Sequence, residues 1–315
     1  MSLRLTSWLA RIFSAETPMK NTGTVVAVVF VALWSTGFIV ARAIKPYADP
    51  NLFLFARFAG TAAVFGMAAL ALRAPWPPRA AWPRHLIAGA LLQGVYLGAS
   101  YWAVAEGLNA GVMALLGALQ PLLTAALAVR LFNERLPVRG WIGLALGLAG
   151  VALVLAPKLG GGVAVAPGAV PEWFVVTVSV LAIGSITAGS LYQKGKLAQS
   201  DLRSALVLQN LGAAIVAAIL MALLRESRWI GAPELWLSLV WCVVFLSGGA
   251  VMMLMWMLRH GNAARATSLM FLAPPLAALQ GYLLFGETLV GVQIAGFAVT
   301  LVGVVLAQRQ SLAVR

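Results

Sequence analysis

The sequence predicts an all-α integral membrane protein of ten transmembrane helices, arranged as two inverted five-helix repeats. Three observations carry this expectation. The chain of 315 residues is 62% hydrophobic and only 10% charged, with a mean hydropathy of +0.93. That leaves too little polar surface to cover a soluble globule, and apolar runs long enough to cross a bilayer recur. Residues 109–153 recur at 262–306 without a gap, at an offset of 153, with 17 of the 45 paired positions identical. The matches include Asn109/Asn262, Pro121/Pro274, Phe132/Phe285, Glu134/Glu287, Leu136/Leu289, Gly143/Gly296 and Gly150/Gly303. Leu and Ala coincide by chance in such a chain; Asn, Pro, Phe and Glu at one fixed offset do not. Finally, Lys and Arg concentrate in alternate loops, as residues that orient a membrane protein do.

Taken in order, residues 1–20 are too short in apolar length for a span. Leu5, Trp8, Leu9, Ile12 and Phe13 recur at helical spacing beside Arg4 and Arg11, which suits a short interfacial helix and a disordered tail equally. Ten apolar spans follow, near 22–42, 50–72, 85–105, 109–131, 138–156, 172–193, 203–224, 234–258, 262–285 and 290–308. Most loops are short and carry Pro, Gly or Arg, as in Pro75-Trp76-Pro77-Pro78-Arg79. The longest, Pro157–Pro171, is rich in Gly and Pro. It divides the chain into a first repeat over 21–157, a linker loop over 158–171, a second repeat over 172–309 and a tail over 310–315.

With the N-terminus in the cytoplasm, 16 of the 22 Lys and Arg fall in inside segments and 5 in outside segments, leaving Arg57 within a span. The positive-inside rule therefore places both termini in the cytoplasm of a bacterial-type inner (plasma) membrane, crossed many times. The repeat offset holds five spans, an odd number, so the two copies cross in opposite senses. The charges agree: Arg130, Arg135 and Arg139 of the first copy become Leu283, Thr288 and Val292 in the second, while the glutamates stay. Inverted repeats of this kind belong to transporters, whose sites lie near the midplane between the halves.

Several function classes are excluded. The net charge of +13 sits between spans, where it orients the chain, so nucleic acid is not an expected partner. The single cysteine, Cys242, lies in an apolar run and reads as a packing residue. Both aspartates, Asp49 and Asp201, lie at loops, and both histidines, His85 and His260, flank spans. No metal site, cofactor or catalytic residue is therefore expected, and an intramembrane enzyme is disfavoured. No Gly-rich loop with Lys is present to hydrolyse ATP. The expected partners are a small-molecule substrate, zwitterionic or apolar, and the lipid bilayer, with the chain a monomer or weak homodimer.

Local motifs add a family resemblance over roughly residues 22–308. LWSTGF (Leu33–Phe38), FARF (Phe55–Phe58) and the pair LFNERL (Leu131–Leu136) and LFGETL (Leu284–Leu289) resemble those of EamA-type members of the drug/metabolite transporter superfamily. The resemblance implies a ten-helix basket with a central cavity that opens to one side at a time. It also implies export of small metabolites, often amino acids, with an aromatic amino-acid exporter branch as one candidate. Drug, multidrug or other metabolite export is the alternative; a sugar-phosphate exchanger is disfavoured because Arg57 is the one cation within a span. The first copy departs from the usual Gly-Glu with Asn133-Glu134.

The candidate pathway residues are those whose polarity or shape is costly in lipid. Arg57 suits either a cavity-facing cation or a brace for neighbouring carbonyls. Trp34, Ser35 and Phe38 share one face of the first span. In the third, Gln93, Tyr96 and Ser100 align at i, i+3 and i+7 beside Tyr101, and polar groups at that depth must face the bundle. Gln120 stands beside Pro121; Pro121 and Pro274 fall near the midplane, where each removes a backbone donor and bends its helix, as a plain kink or as a hinge. Ser185 and Tyr192 mirror the first span's face in the second repeat. Trp256 belongs to a Met-rich stretch of the eighth span suited to a tolerant cavity or to ordinary packing. Asn109 and Asn262 read as helix caps, and Glu134 and Glu287 as structural.

Overall fold

The structure, a computed structural model, describes residues 19–159, 170–197, 202–250, 252–253, 256–257, 270 and 272–308. The N-terminal segment, most of the linker loop, the C-terminal tail, His260 and Asn262 lie outside the described residues. Those described form a nearly all-helical bundle; the one β-type contact among them is an isolated bridge between Ala48 and Trp229. Among the described residues, eight helices are long and apolar enough to cross a membrane: Val25–Ala43, Pro50–Ala71, Arg79–Ala105, Ala110–Leu131, Val138–Pro157, Glu172–Lys196, Ser204–Leu223 and Pro233–Ala250. Helices Ala273–Phe285 and Gly291–Gln308 occupy the positions of the ninth and tenth expected spans. Helix is the form that satisfies every backbone group without water. Large exposed side chains such as Met67, Leu70, Leu181 and Leu223 form the outer surface, which suits lipid rather than water.

The third span begins earlier than the hydropathy pattern suggests. A 3₁₀ turn at Arg79–Ala81 leads into helix Trp82–Gly89, whose first turn carries Pro83. His85, expected to flank the span, is instead fully buried within it, and neither ring nitrogen has a partner among the described residues.

Several pairs of spans join the halves, two of them along much of their length. The second packs along the seventh and the fifth along the tenth. The fifth–tenth crossing uses the repeat's own glycines. A Cβ built on Gly303 would lie 2.6 Å from the Gly143 carbonyl oxygen, and one on Gly296 would lie 2.6 Å from that of Gly150. Gly143 is the repeat equivalent of Gly296, and Gly150 of Gly303, so the crossing is self-complementary, as a two-fold contact must be. Small residues let the two backbones meet.

The third and eighth spans share a feature with no local sequence signal. Ala90–Val95 and Trp241–Ala250 are π-helical, and the 153-residue offset maps the first onto the second. A π-helical stretch shifts its bonds to i→i+5 and frees a carbonyl; such stretches occur often at functional sites. In the third span the Leu91 carbonyl accepts a 2.8 Å bond from the Ser185 hydroxyl of the sixth span. Ser185→Ala is expected to cost about 1 kcal/mol, seen as a small drop in the thermal midpoint of the purified protein.

Candidate functional site

The first span breaks in its middle. Helix Met19–Ser35 stops, Thr36 turns, and Gly37–Ala43 resumes. The Ser35 and Thr36 hydroxyls turn back on the Ala32 and Leu33 carbonyls at 2.8 and 2.7 Å, so side chains compete for the backbone where the helical ladder breaks. Both hydroxyls also accept bonds from the other half: Ser35 from Gln280 Nε2 at 3.0 Å and Thr36 from Trp241 Nε1 at 2.9 Å. A Cβ placed on Gly37 would meet no heavy atom of the described residues within 4 Å. Among the described residues, the break is thus unfilled on the side to which a Gly37 side chain would point.

Arg57 reaches this break from the second span. Only 9% of the residue is exposed. Its Nη1 donates to the Tyr101 hydroxyl at 3.1 Å, and Tyr101 in turn donates to the Gly37 carbonyl at 2.9 Å. Phe53 stacks on the Tyr101 ring, centroids 6.4 Å apart. The Arg57 Nε has no hydrogen-bond partner, and no carboxylate pairs with the guanidinium, among the described residues. A buried cation without a counter-ion is costly, and its unfilled donor attracts an anionic group. The Thr61 and Ser100 hydroxyls are likewise buried and unpartnered.

A second polar group lies between the fourth and sixth spans. The fourth breaks at Leu119 into Ala110–Ala118 and Gln120–Leu131, with Pro121 in the first turn of the new segment. Proline suits that place because its missing donor would have no partner there. Gln120 Nε2 donates to Ser190 at 2.8 Å and Thr124 at 3.2 Å. Pro274 occupies the equivalent first turn of Ala273–Phe285. Between the same two spans runs an apolar groove of about 740 Å³ lined by Leu123, Leu127, Phe132, Thr187 and Tyr192, with Lys196 also at its wall.

The remaining expected residues fall around these groups. Phe38 meets Tyr96 edge-on, centroids 6.3 Å apart, and the Tyr96 hydroxyl approaches Gly117 of the fourth span. Gln93 lies in the π-helical stretch, half-buried. Trp34 is 42% exposed and packs on Phe30, away from Arg57's partners. Trp256 sits with Met253 against a small cluster of Phe30, Met257 and Ala273. Asn109 makes no side-chain cap bond; the Ala110 N–H that it would neighbour donates to Glu287 at 3.0 Å. That carboxyl is held above its usual range by burial, opposed by the Ala110 N–H and by Arg42.

Sequence reasoning missed Thr36, Gln280, Trp241 and Ser190 as partners of the site. Gln280 had one usable signal: it is a polar residue inside an apolar span, where its amide needs a partner.

The profile of the EamA-like transporter family matches residues 21–156 and again residues 173–308. An Escherichia coli protein described as an uncharacterized inner membrane transporter, YedA, is 26% identical over 279 residues, 87% of this chain and 86% of its own. An uncharacterized transporter of Archaeoglobus fulgidus is 28% identical over 214 residues, 67% of this chain and 72% of its own. A protein of known crystal structure has the same fold, with a TM-score of 0.62 and 22% identity, covering 93% of this chain and 99% of that one. The chain belongs to the EamA-like transporter family of the drug/metabolite transporter superfamily, and is a multi-pass membrane transporter rather than an enzyme.

Proposed function

We propose that this transporter exports zwitterionic metabolites, amino acids foremost, by alternating access around the space beside Gly37. The observation that carries the reading is Arg57: a buried guanidinium with a free Nε and no carboxylate partner among the described residues. A substrate carboxylate supplies the missing anion in the bidentate geometry that arginine favours. Tyr101 fixes the guanidinium by accepting its Nη1–H, and ties it to the first-span break through Gly37. Phe38 and Tyr96 present aromatic surface to an apolar side chain, while Ser35, Gln93, Ser100, Gln120, Ser185 and Tyr192 supply the polar lining. Trp34 and Trp256 belong to the outer part of that wall. Pro121 and Pro274 serve as hinges, because each starts a helical segment just after a break.

In this reading both termini are cytoplasmic, since 16 of the 22 basic residues then lie inside. The five-helix repeats over 21–157 and 172–309 are the two moving halves, and the unit that transports is a monomer or a weak homodimer. No carboxylate sits at the first-span break among the described residues, which favours facilitated export over proton coupling.

Uptake of labelled amino acids into proteoliposomes, with and without a pH gradient, tests the reading. Saturable uptake without a gradient supports it; strict dependence on the gradient removes the facilitated mechanism. A further outcome follows from the space at Gly37. Gly37→Leu is expected to reduce transport at least about tenfold while the thermal midpoint holds or rises, because the new side chain meets no backbone and replaces a poor helix former. Unchanged transport would place the pathway elsewhere.

A further inference from the structure

The two repeat-matched glutamates, with the phenylalanines two residues before them, make the same contact twice, at opposite faces of the bundle. At one face Arg42, ending the first span, lies 3.5 Å from the Glu287 carboxylate and 6.0 Å from the Phe285 ring centroid. At the other, Lys194, near the end of the sixth span, pairs with Glu134 and lies 5.4 Å from the Phe132 ring centroid. The 153-residue offset relates Glu134 to Glu287 and Phe132 to Phe285, and it brings Arg42 to within one residue of Lys194. Each contact joins the halves: Arg42 and Glu134 belong to the first repeat, Lys194 and Glu287 to the second.

We infer that these are paired gate latches, Arg42–Glu287–Phe285 closing one face and Lys194–Glu134–Phe132 the other, and that transport releases them in turn. Four observations support this. Three of the four segments that carry the latches begin at a helix break: Gly37–Ala43 after Thr36, Gln120–Leu131 after Leu119, and Ala273–Phe285 at its prolines. They are arms able to swing, unlike the glycine-locked fifth and tenth spans. A hydrogen bond between the same arms, Gln120–Ser190, lies deeper along the Lys194 pair, and Gln280 of the other pair reaches Ser35 just before the Thr36 break, so each latch ends a seam between the halves. The latches are partly exposed, with side-chain exposures of 33% and 11% at Arg42 and Glu287 and 47% at both Lys194 and Glu134. Contacts of that exposure shift an equilibrium only a few-fold, which suits bonds broken in every cycle. Lastly, Phe132 both carries the Lys194 contact and lines the groove between the fourth and sixth spans, so release of that latch opens the groove.

The left-handed backbone at Asn133 and Gly286, φ 53° and 67°, belongs to the same device. Both residues sit directly before the latch glutamates and turn them back across the interface. Asn is the side chain that best tolerates this conformation after Gly, so Asn133 keeps the geometry that Gly286 has.

The inference rests on alternating access but not on any substrate. It is tested by the labelling rate of a maleimide at Thr187→Cys in the groove, with the full chain in nanodiscs and the protein carrying Cys242 alone, buried, as the blank. Glu134→Gln is expected to raise the rate about two- to fivefold. Glu287→Gln, which keeps a carbonyl for the Ala110 N–H, is expected to lower it by a similar factor, and Arg42→Gln to do the same. The exchange Lys194→Glu with Glu134→Lys is expected to restore the original rate. Shifts of the same sign from the two glutamate variants, no shift in either, or failure of the exchange to restore the rate would overturn the latches. Because no substrate is present, a wrong substrate assignment leaves these outcomes unchanged.

Discussion

Arg57→Gln is expected to reduce transport of a carboxylate-bearing substrate at least about a hundredfold, the cost of truncating one member of a desolvated charge pair. The same change is expected to leave the thermal midpoint unchanged or to raise it. That combination distinguishes a binding residue from a brace. Burying a guanidinium with one hydrogen bond and no counter-ion among the described residues is unfavourable, so removing the charge relieves the folded state while removing the anion site. Were Arg57 a brace, the loss of its bond to Tyr101 would lower stability along with transport. Arg57→Lys is expected to fall between: the charge survives, but the planar fork does not.

The second large effect concerns the fifth–tenth crossing. Gly150→Leu and Gly303→Leu are each expected to cost about 3 kcal/mol or more and to abolish a monodisperse peak in size exclusion. A Cβ at Gly150 lies 2.6 Å from the Gly296 carbonyl oxygen and 2.5 Å from the Thr300 nitrogen, and one at Gly303 lies 2.6 Å from both the Gly143 oxygen and the Gly147 nitrogen. These neighbours are backbone, so the helices must separate rather than repack. Gly291→Ala is the matched control, since nothing lies within 4 Å of its added Cβ. Equal stability of the leucine variants and this control would show that the crossing is not what holds the halves together.

The sequence carried the membrane class and most span positions because these follow from hydropathy and charge placement, which are local properties; the family showed through the resemblance of short motifs such as LWSTGF and LFGETL. The repeat also carried more than its role as a signature: Gly143, Gly150, Gly296 and Gly303 face one another, and Glu134 and Glu287 both bridge the halves. The details of the site were less legible. Arg57 stood out because a charge in a span is costly wherever it points. Its partner Tyr101 is 44 residues away, and nothing in the spacing of the two implies a bond. The break at Thr36 depends on Ser35 and Thr36 hydroxyls turning back on the backbone, a choice set by partners in the eighth and ninth spans. The π-helical stretches have no periodicity signal, since one extra residue per turn barely changes an apolar pattern. Asn109 illustrates the opposite failure: a good capping residue leaves the work to Glu287, which arrives from the other half.

The central claim is that Arg57 receives a carboxylate in the transport pathway. It is tested most directly by competition in proteoliposomes loaded with a labelled aromatic or aliphatic amino acid, comparing the unlabelled amino acid with the amine that lacks only the carboxyl group. The account predicts that the amino acid competes with the wild-type protein, that the amine does not, and that Arg57→Gln abolishes the difference. Equal competition by amine and amino acid in the wild type would contradict it.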